Sequence, residues 1–316
     1  MSVVLSAENC VRTLSLGAGC ALCKEACPNE AIGFEPHLVK IDGNTCKECA
    51  ACIGVCPTEA LSARNESAVA MSVEELFCLV VDKADGEICL EVSKDVGELM
   101  QKKLDEANTL LSLFGVINKI SLSLVETCKD EPQDSSKRAL FRMFTKDGIS
   151  AAHNSLKTEE EQISSVDYSL LRAKKIPPKR ALFLDSLAKL KLQDVDASYP
   201  LSFASDKHID DSCDNCSLCY NLCPSGALET TAMKNAIIFS PYLCLKCKLC
   251  EDVCEKQSIV SLPDVPLVVF LDKKKKVLKK FAAKLCPTCG GVFATDGDEC
   301  ARCAKESEDA MELLGL

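Results

Sequence analysis

The sequence predicts an α+β protein: two similar cysteine-rich modules, a small α/β unit between them, and a C-terminal four-cysteine segment. Two observations carry that expectation. The cysteines recur in blocks, at Cys10 to Cys56, Cys213 to Cys254 and Cys286 to Cys303, with only Cys78, Cys89 and Cys128 between the first two. Between those blocks the apolar residues take helical and then strand spacing instead. The modules read as residues 1–66 and 201–262. Residues 67–128 read as the middle unit, 129–200 as a polar linker with helices, and 263–316 as the C-terminal segment and its tail.

A chain of 316 residues can bury a core without covalent staples. Its 23 cysteines are odd in number and closely spaced, unlike a secreted disulfide framework, so metal ligation leads. A formal charge of −10 argues against a protein built to grip phosphate backbones, and nucleic acid is not an expected partner. The longest apolar runs, Phe77 to Val81 and Leu267 to Leu271, fall far short of the ~18–20 residues that span a bilayer, so no membrane insertion is expected. Met1 to Leu5 lacks a basic leader and the first candidate ligand follows at Cys10; the expected location is the cytoplasm.

In the first module Cys46, Cys49, Cys52 and Cys56, followed by Pro57, spell C-x2-C-x2-C-x3-C-P. In the second, Cys213, Cys216, Cys219, Cys223 and Pro224 repeat it, and Cys244, Cys247, Cys250 and Cys254 repeat it again with Glu255 in place of proline. Soft thiolates bind iron strongly, and three cysteines at two-residue intervals set their sulfurs around three corners of one cubane. The fourth is carried past the loop onto a following helix.

These runs resemble bacterial-type ferredoxins with paired [4Fe–4S] clusters. The resemblance implies that each motif supplies three ligands to one cluster and its last cysteine to the other. One cluster would then take Cys46, Cys49, Cys52 and Cys27, a second Cys213, Cys216, Cys219 and Cys254, and a third Cys244, Cys247, Cys250 and Cys223. The first motif departs from the pattern: Cys20, Cys23, Cys27 and Pro28 match, but Gly17 stands where the first cysteine belongs. Either Cys10 completes a set with Cys20, Cys23 and Cys56, or that cluster has three protein thiolates and is a three-iron or open-site cubane. Cys10-Val11-Arg12 before Leu16-Gly17-Ala18-Gly19 resembles ferredoxin domains with a loop inserted after the first ligand, which favours Cys10.

Small residues beside the ligands, Ala21, Ala50, Ala51 and Gly54, would let backbone N–H groups approach cluster sulfides, or serve as plain turn residues. After the Cys-Pro pairs, Ala31 to Phe34 with Leu38 to Ile41, and Ala227-Leu228 with Ala236 to Phe239, read as hairpins. In the C-terminal segment Cys286, Cys289, Cys300 and Cys303 form two C-x2-C knuckles, which suit a tetrahedral four-sulfur site. The segment resembles a zinc ribbon. The same ligand set can hold one iron, as in rubredoxin, but Cys300-Ala301-Arg302-Cys303 lacks the proline and glycine usual there, which favours zinc.

In the middle unit Val73, Leu76, Phe77, Val80 and Val81 fall at helical spacing, and Val96 to Phe114 makes a longer helix. Ile88 with Leu90, and Ile120, Leu122 and Leu124, read as strands. No glycine-rich phosphate loop opens either helix, so nucleotide binding has no support. Cys78 and Cys89 read as core residues, and Cys128 as a free thiol at a strand end. Lys129 to Lys175 is polar, with a helical piece near Arg138 to Phe144, and Pro177-Pro178-Lys179-Arg180 opens a further helix reaching Leu192.

The whole order looks like large bacterial multi-cluster ferredoxin-type proteins, specifically over the cysteine motifs and weakly across the middle. It implies single-electron relay through four [4Fe–4S] clusters to or from a partner oxidoreductase, with redox donor and acceptor proteins as partners and no catalytic residue of its own. A redox enzyme or an oxidant or iron sensor with a site-differentiated first cluster is the alternative, and a nucleic-acid-binding protein using the ribbon a further one. His37, His153 and His208 are isolated, and no Ser-His-Asp set is visible. Lys273 to Lys276 with Lys279 and Lys280 reads as a solvated face or as a docking patch for an acidic partner.

Overall fold

The computed structural model describes residues 3–35, 38–63, 67–82, 88–125, 174–192, 195–295 and 297–314. Cys128, His37, His153 and the helical piece expected at Arg138 to Phe144 lie outside the described residues. The architecture is mixed α+β with small sheets.

The first cysteine block runs β1 (Val3–Leu5), α1 (Val11–Leu14), α2 (Leu22–Glu25), β2 (Ile32–Glu35), β3 (Leu38–Ile41), α3 (Ala51–Gly54) and β4 (Leu61–Ala63). β2 and β3 form the expected hairpin, with Ile32 opposite Ile41, and β1 pairs antiparallel with β4. Alternation turns Ile32 and Val39 inward. They meet Val3, Ala60 and Leu61 around the buried Cys10, Cys52 and Cys56, so the sulfurs are part of this small core.

The middle unit is α4 (Val73–Val81), β5 (Ile88–Ser93), α5 (Gly97–Leu113) and β6 (Ile120–Val125). A capping box starts α4: the Ser72 hydroxyl accepts the Glu75 N–H while the Glu75 carboxylate accepts the Ser72 N–H. β5 and β6 run parallel from Ile88 opposite Ile120, and α5 supplies the long crossover such pairing needs. On α5, Met100, Leu104, Ala107 and Leu111 recur at helical spacing and are fully buried. The Asn108 side chain bonds both backbone groups of Ile120, at 2.8 and 2.9 Å, and pins the strand. Cys78 is buried in α4, but Cys89, expected in the core, is exposed. β5 alternates, with Ile88 and Val92 inward and Cys89 outward, so only one face is covered.

This core does not end with the α/β unit. Pro178 opens α6 (Pro178–Lys189), where its missing N–H costs nothing, and Phe183, Leu184 and Leu187 bury the inner face. Phe183 sits edge-on to Phe77, 5.1 Å between ring centres, and to Phe270 at 5.5 Å. Leu201, Ala204, Val265 and Leu267 complete the same cluster. A segment read as linker therefore welds the middle unit to the flanks of the second cysteine block.

That block runs β7 (Ser198–Tyr199), β8 (Asp206–Ile209), α7 (Leu218–Asn221), β9 (Leu228–Thr230), β10 (Ala236–Phe239), α8 (Leu249–Asp252), β11 (Ile259–Leu262) and β12 (Val265–Pro266). It repeats the first: β9 and β10 form the hairpin, and β8 pairs antiparallel with β11. β7 pairs with β12. After α9 (Val269–Asp272), β13 (Lys276–Lys280) adds a third strand to the hairpin along β10. There Lys275, Lys276 and Lys279 pair at the surface with Glu229, Asp206 and Asp211, so much of the lysine run has partners within the chain. β14 (Lys284–Leu285) and β15 (Val292–Phe293) make a last hairpin before α10 (Ala301–Leu314). Among the described residues no helix is long and apolar enough to cross a membrane.

Candidate cysteine metal centres

Cys27, Cys56, Cys223 and Cys254 follow the short helices α2, α3, α7 and α8, and all four enter the same turn. Three residues on, Glu30, Glu59, Gly226 and Gln257 take left-handed φ values of 51°, 53°, 73° and 52°. Their N–H groups donate back to the cysteine carbonyls at 3.3, 3.5, 3.3 and 2.9 Å. A following N–H then points at each sulfur: Ala31 to Cys27, Ala60 to Cys56 and Ser258 to Cys254 at 3.3 Å, and Leu228 to Cys223 at 3.4 Å. Such donors favour the thiolate and fix its direction.

The three complete loops share a second signature. Glu48 and Ala50, Asn215 and Ser217, and Lys246 and Lys248 occupy matching positions between the cysteines, all with positive φ. For residues bearing a Cβ this costs about 1–2 kcal/mol each, so the surrounding structure must hold it. The first loop differs: Ala21, which matches Ala50, has φ −130°.

The sulfurs neighbour one another in sets that follow the expected ligand quartets and also reach across them. Burial raises the Cys10 thiol, the Arg12 N–H opposes this, and the neighbouring Cys56 sulfur adds to the rise. Cys20 is raised by burial and feels Cys10 and Cys56, while burial pushes Cys23 up to about 12 with help from Cys20, Cys56, Cys10 and Cys52. Cys10, Cys20, Cys23 and Cys56 thus lie near one another, with Cys52 near Cys23 as well. Burial likewise pushes Cys52 up to about 12, with Cys49, Cys27 and Cys46 as neighbours. In the second block Cys216 feels Cys254 and Cys213, and Cys219 is raised by burial beside Cys250, Cys213 and Cys216. Burial pushes Cys250 up to about 12 against the pull of Lys207, with Cys244 and Cys223 adjacent, and Cys247 faces the same three sulfurs. Cys27, Cys46, Cys49 and Cys52 line one concavity of about 330 Å³, open mouth included, and Cys223, Cys244, Cys247 and Cys250 another of about 340 Å³.

Basic side chains surround these quartets, and the motif reading did not find them. Arg12 lies over the Phe34 ring at 4.1 Å and donates to the Cys20 carbonyl at 3.0 Å, while its buried Nε has no protein partner. Lys207 is 2% exposed, pairs with Glu251 and Ser261, and is raised to about 12 despite burial because Cys250 and Cys244 face it. On α6, Lys179 Nζ donates to the Cys56 carbonyl and Arg180 Nη1 to the Cys244 carbonyl at 2.8 Å. Their only sequence signal is a basic pair at a proline-initiated helix start. His208 is exposed on β8, opposite Val260.

The C-terminal quartet has a different geometry. Among the described residues it is the group whose ligand atoms, Cys286, Cys289, Cys300 and Cys303, lie within 4.8 Å of one another. Cys289 and Cys300 sulfurs are 3.7 Å apart, close to the ~3.8 Å edge of a tetrahedron with metal–sulfur bonds of about 2.3 Å. The first knuckle closes through Gly290, at φ 70°, whose N–H reaches the Cys286 carbonyl at 2.8 Å. Cys286 in turn accepts the Cys300 N–H at 3.4 Å, and N–H groups of Cys300 and Cys289 draw its thiol down to about 6. Four soft donors at this spacing fit a single metal ion.

No protein-family model matches the chain, and no curated protein matches it.

Proposed function

We propose that this chain is an iron–sulfur electron-transfer protein that relays single electrons to or from a partner oxidoreductase. Four [4Fe–4S] clusters would be held by Cys10, Cys20, Cys23 and Cys56; by Cys27, Cys46, Cys49 and Cys52; by Cys213, Cys216, Cys219 and Cys254; and by Cys223, Cys244, Cys247 and Cys250. Each cluster supplies a reversible one-electron centre with no bond made or broken. The observation that supports this reading is the lining of two concavities: Cys27 meets Cys46, Cys49 and Cys52 in one, and Cys223 meets Cys244, Cys247 and Cys250 in the other, as an exchange of last cysteines would require.

Three features of the residues fit such a group. The cysteines of both blocks sit in small apolar clusters, with Cys10, Cys52 and Cys56 buried in one and Cys244 in the other. Arg12 Nε is buried and unpartnered beside Cys20, where an anionic core would meet it. The four N–H···S turns hold thiolates in fixed directions. With Cys10 among the first quartet, that core would be fully ligated, which leaves no iron position for substrate. The C-terminal quartet, read as zinc, would brace the segment that follows the second module, and the cytoplasm remains the proposed location.

Anaerobically reconstituted protein is expected to be brown, to bleach with dithionite, and to give S = 1/2 signals at low temperature. Colourless protein with no paramagnetic signal after dithionite would overturn the proposal.

A further inference from the structure

Among the described residues the two cysteine blocks meet through the Gly17–Gly19 loop and through α6, beside cysteines of two particular quartets. We infer that the Gly17–Gly19 loop and the start of α6 form an electronic junction between the modules, so that all four quartets lie on a single path. The inner pair would be the Cys10, Cys20, Cys23, Cys56 set and the Cys223, Cys244, Cys247, Cys250 set. This rests on the iron–sulfur reading above.

Two independent contacts make the junction. On one side Ala18, two residues ahead of Cys20 and 4% exposed, packs on Leu249 and Val253 in an apolar cluster that includes Cys247. Beside it the Gly19 N–H donates to the Asp252 carboxylate at 2.8 Å. A Cβ on Gly19 would come within 3.4 Å of that carboxylate, and one on Gly17 within 3.6 Å of the Asp252 carbonyl oxygen. On the other side, adjacent residues of α6 bind one block each: Lys179 holds the Cys56 carbonyl and Arg180 the Cys244 carbonyl. The inner quartets are therefore tied through Cys20 and Cys56 to Cys244 and Cys247.

Gly17, which stands where the first motif's first cysteine would be, lies at this contact with α8, and in the proposed set the ligand role passes to Cys10. Electron tunnelling weakens exponentially with the gap, so small residues at a contact between centres favour transfer. At the far end the path reaches the surface: Cys216 is exposed, and Asn215 beside it donates to the Ala294 carbonyl of the C-terminal segment at 2.8 Å. A single electron crosses per event, with no bond changed and no proton moved. Its donor is an external one-electron reductant, dithionite in the test.

The test uses full-length, anaerobic holoprotein and electron paramagnetic resonance after dithionite reduction. A protein carrying Cys49→Ser and Cys216→Ser keeps the inner pair, one centre from each module. One carrying Cys23→Ser and Cys247→Ser keeps the outer pair. The junction predicts split, fast-relaxing signals from the first and two independent signals from the second. Independent signals from the inner pair would overturn it. Ala18→Arg added to the inner-pair protein, which wedges the contact and replaces no ligand, is expected to leave its iron content unchanged and abolish the splitting; retained splitting would also overturn the junction. Wild-type protein without iron would instead sink the iron–sulfur reading itself, so the two failures are distinct.

Discussion

Arg180 and Glu74 form an ion pair with both side chains essentially out of solvent, joining α6 to α4. The guanidinium also donates to the carbonyls of Tyr242, Cys244 and Phe203 at 2.8 to 2.9 Å, so every edge of the fork is used. Removing one member of a buried pair leaves the other charge without compensation, typically about 3–5 kcal/mol. Arg180→Ala is expected to lose about that much in denaturant unfolding, and Glu74→Gln, which keeps an acceptor but strands the buried guanidinium charge, a comparable amount. Equal small losses for both would mean the pair does not hold the core.

Gly54 ends α3 beneath the middle unit. A Cβ there would lie 2.5 Å from the Met71 carbonyl oxygen and 2.4 Å from Lys103 Nζ, which itself donates to the Val69 and Met71 carbonyls. The lysine tip can move, but the backbone oxygen cannot easily do so. Gly54→Ala is expected to destabilise by about 1–3 kcal/mol. Gly33, with nothing within 4 Å of its Cβ position, is the control: alanine there should be neutral or slightly stabilising. Thermal unfolding of the two variants checks the contrast.

The contrast between what the residues announced and what they concealed follows from range. Cysteine spacing is local and periodic, so the quartet members stand out, and the hairpins at Ile32 and Leu228 follow from turn and strand patterning. The left-handed Ala50, Ser217 and Lys248 carry no glycine signal, because the fold rather than the residue type holds the conformation. Lys179 and Arg180 reach partners up to 123 positions away in sequence, and no local pattern encodes such a reach. Cys89 misled for the opposite reason: apolar neighbours suggested burial, but a strand covered on one face exposes every second residue.

Cysteine substitutions separate ligand from packing roles. Cys10→Ser is expected to lower iron by about four per chain, one four-iron core. Cys78→Ser, in a fully buried apolar site, should cost stability and leave iron unchanged. Cys89→Ser, on an exposed strand face, should alter neither. Unchanged iron in Cys10→Ser would return the first quartet to a three-thiolate site.

Burial raises the Glu106 carboxyl above its ordinary range, against the opposing N–H and hydroxyl of Ser202, the former bonded at 2.7 Å. An acid whose folded pKa lies above its unfolded value binds its proton more readily when folded, so its contribution to stability falls as pH rises through that window. Glu106→Gln keeps an acceptor for Ser202 and removes the buried charge. The variant is therefore expected to gain on the wild type as pH rises from acid to neutral, measured as the difference in unfolding free energy across a pH series. A difference that does not change with pH would contradict the assignment.

The most direct test of the central claim is the iron, acid-labile sulfide and zinc content of anaerobically purified protein. Four cubanes predict about sixteen irons and an equal amount of sulfide per chain, with one zinc in the C-terminal quartet. Zinc in every quartet, with no labile sulfide, would contradict it.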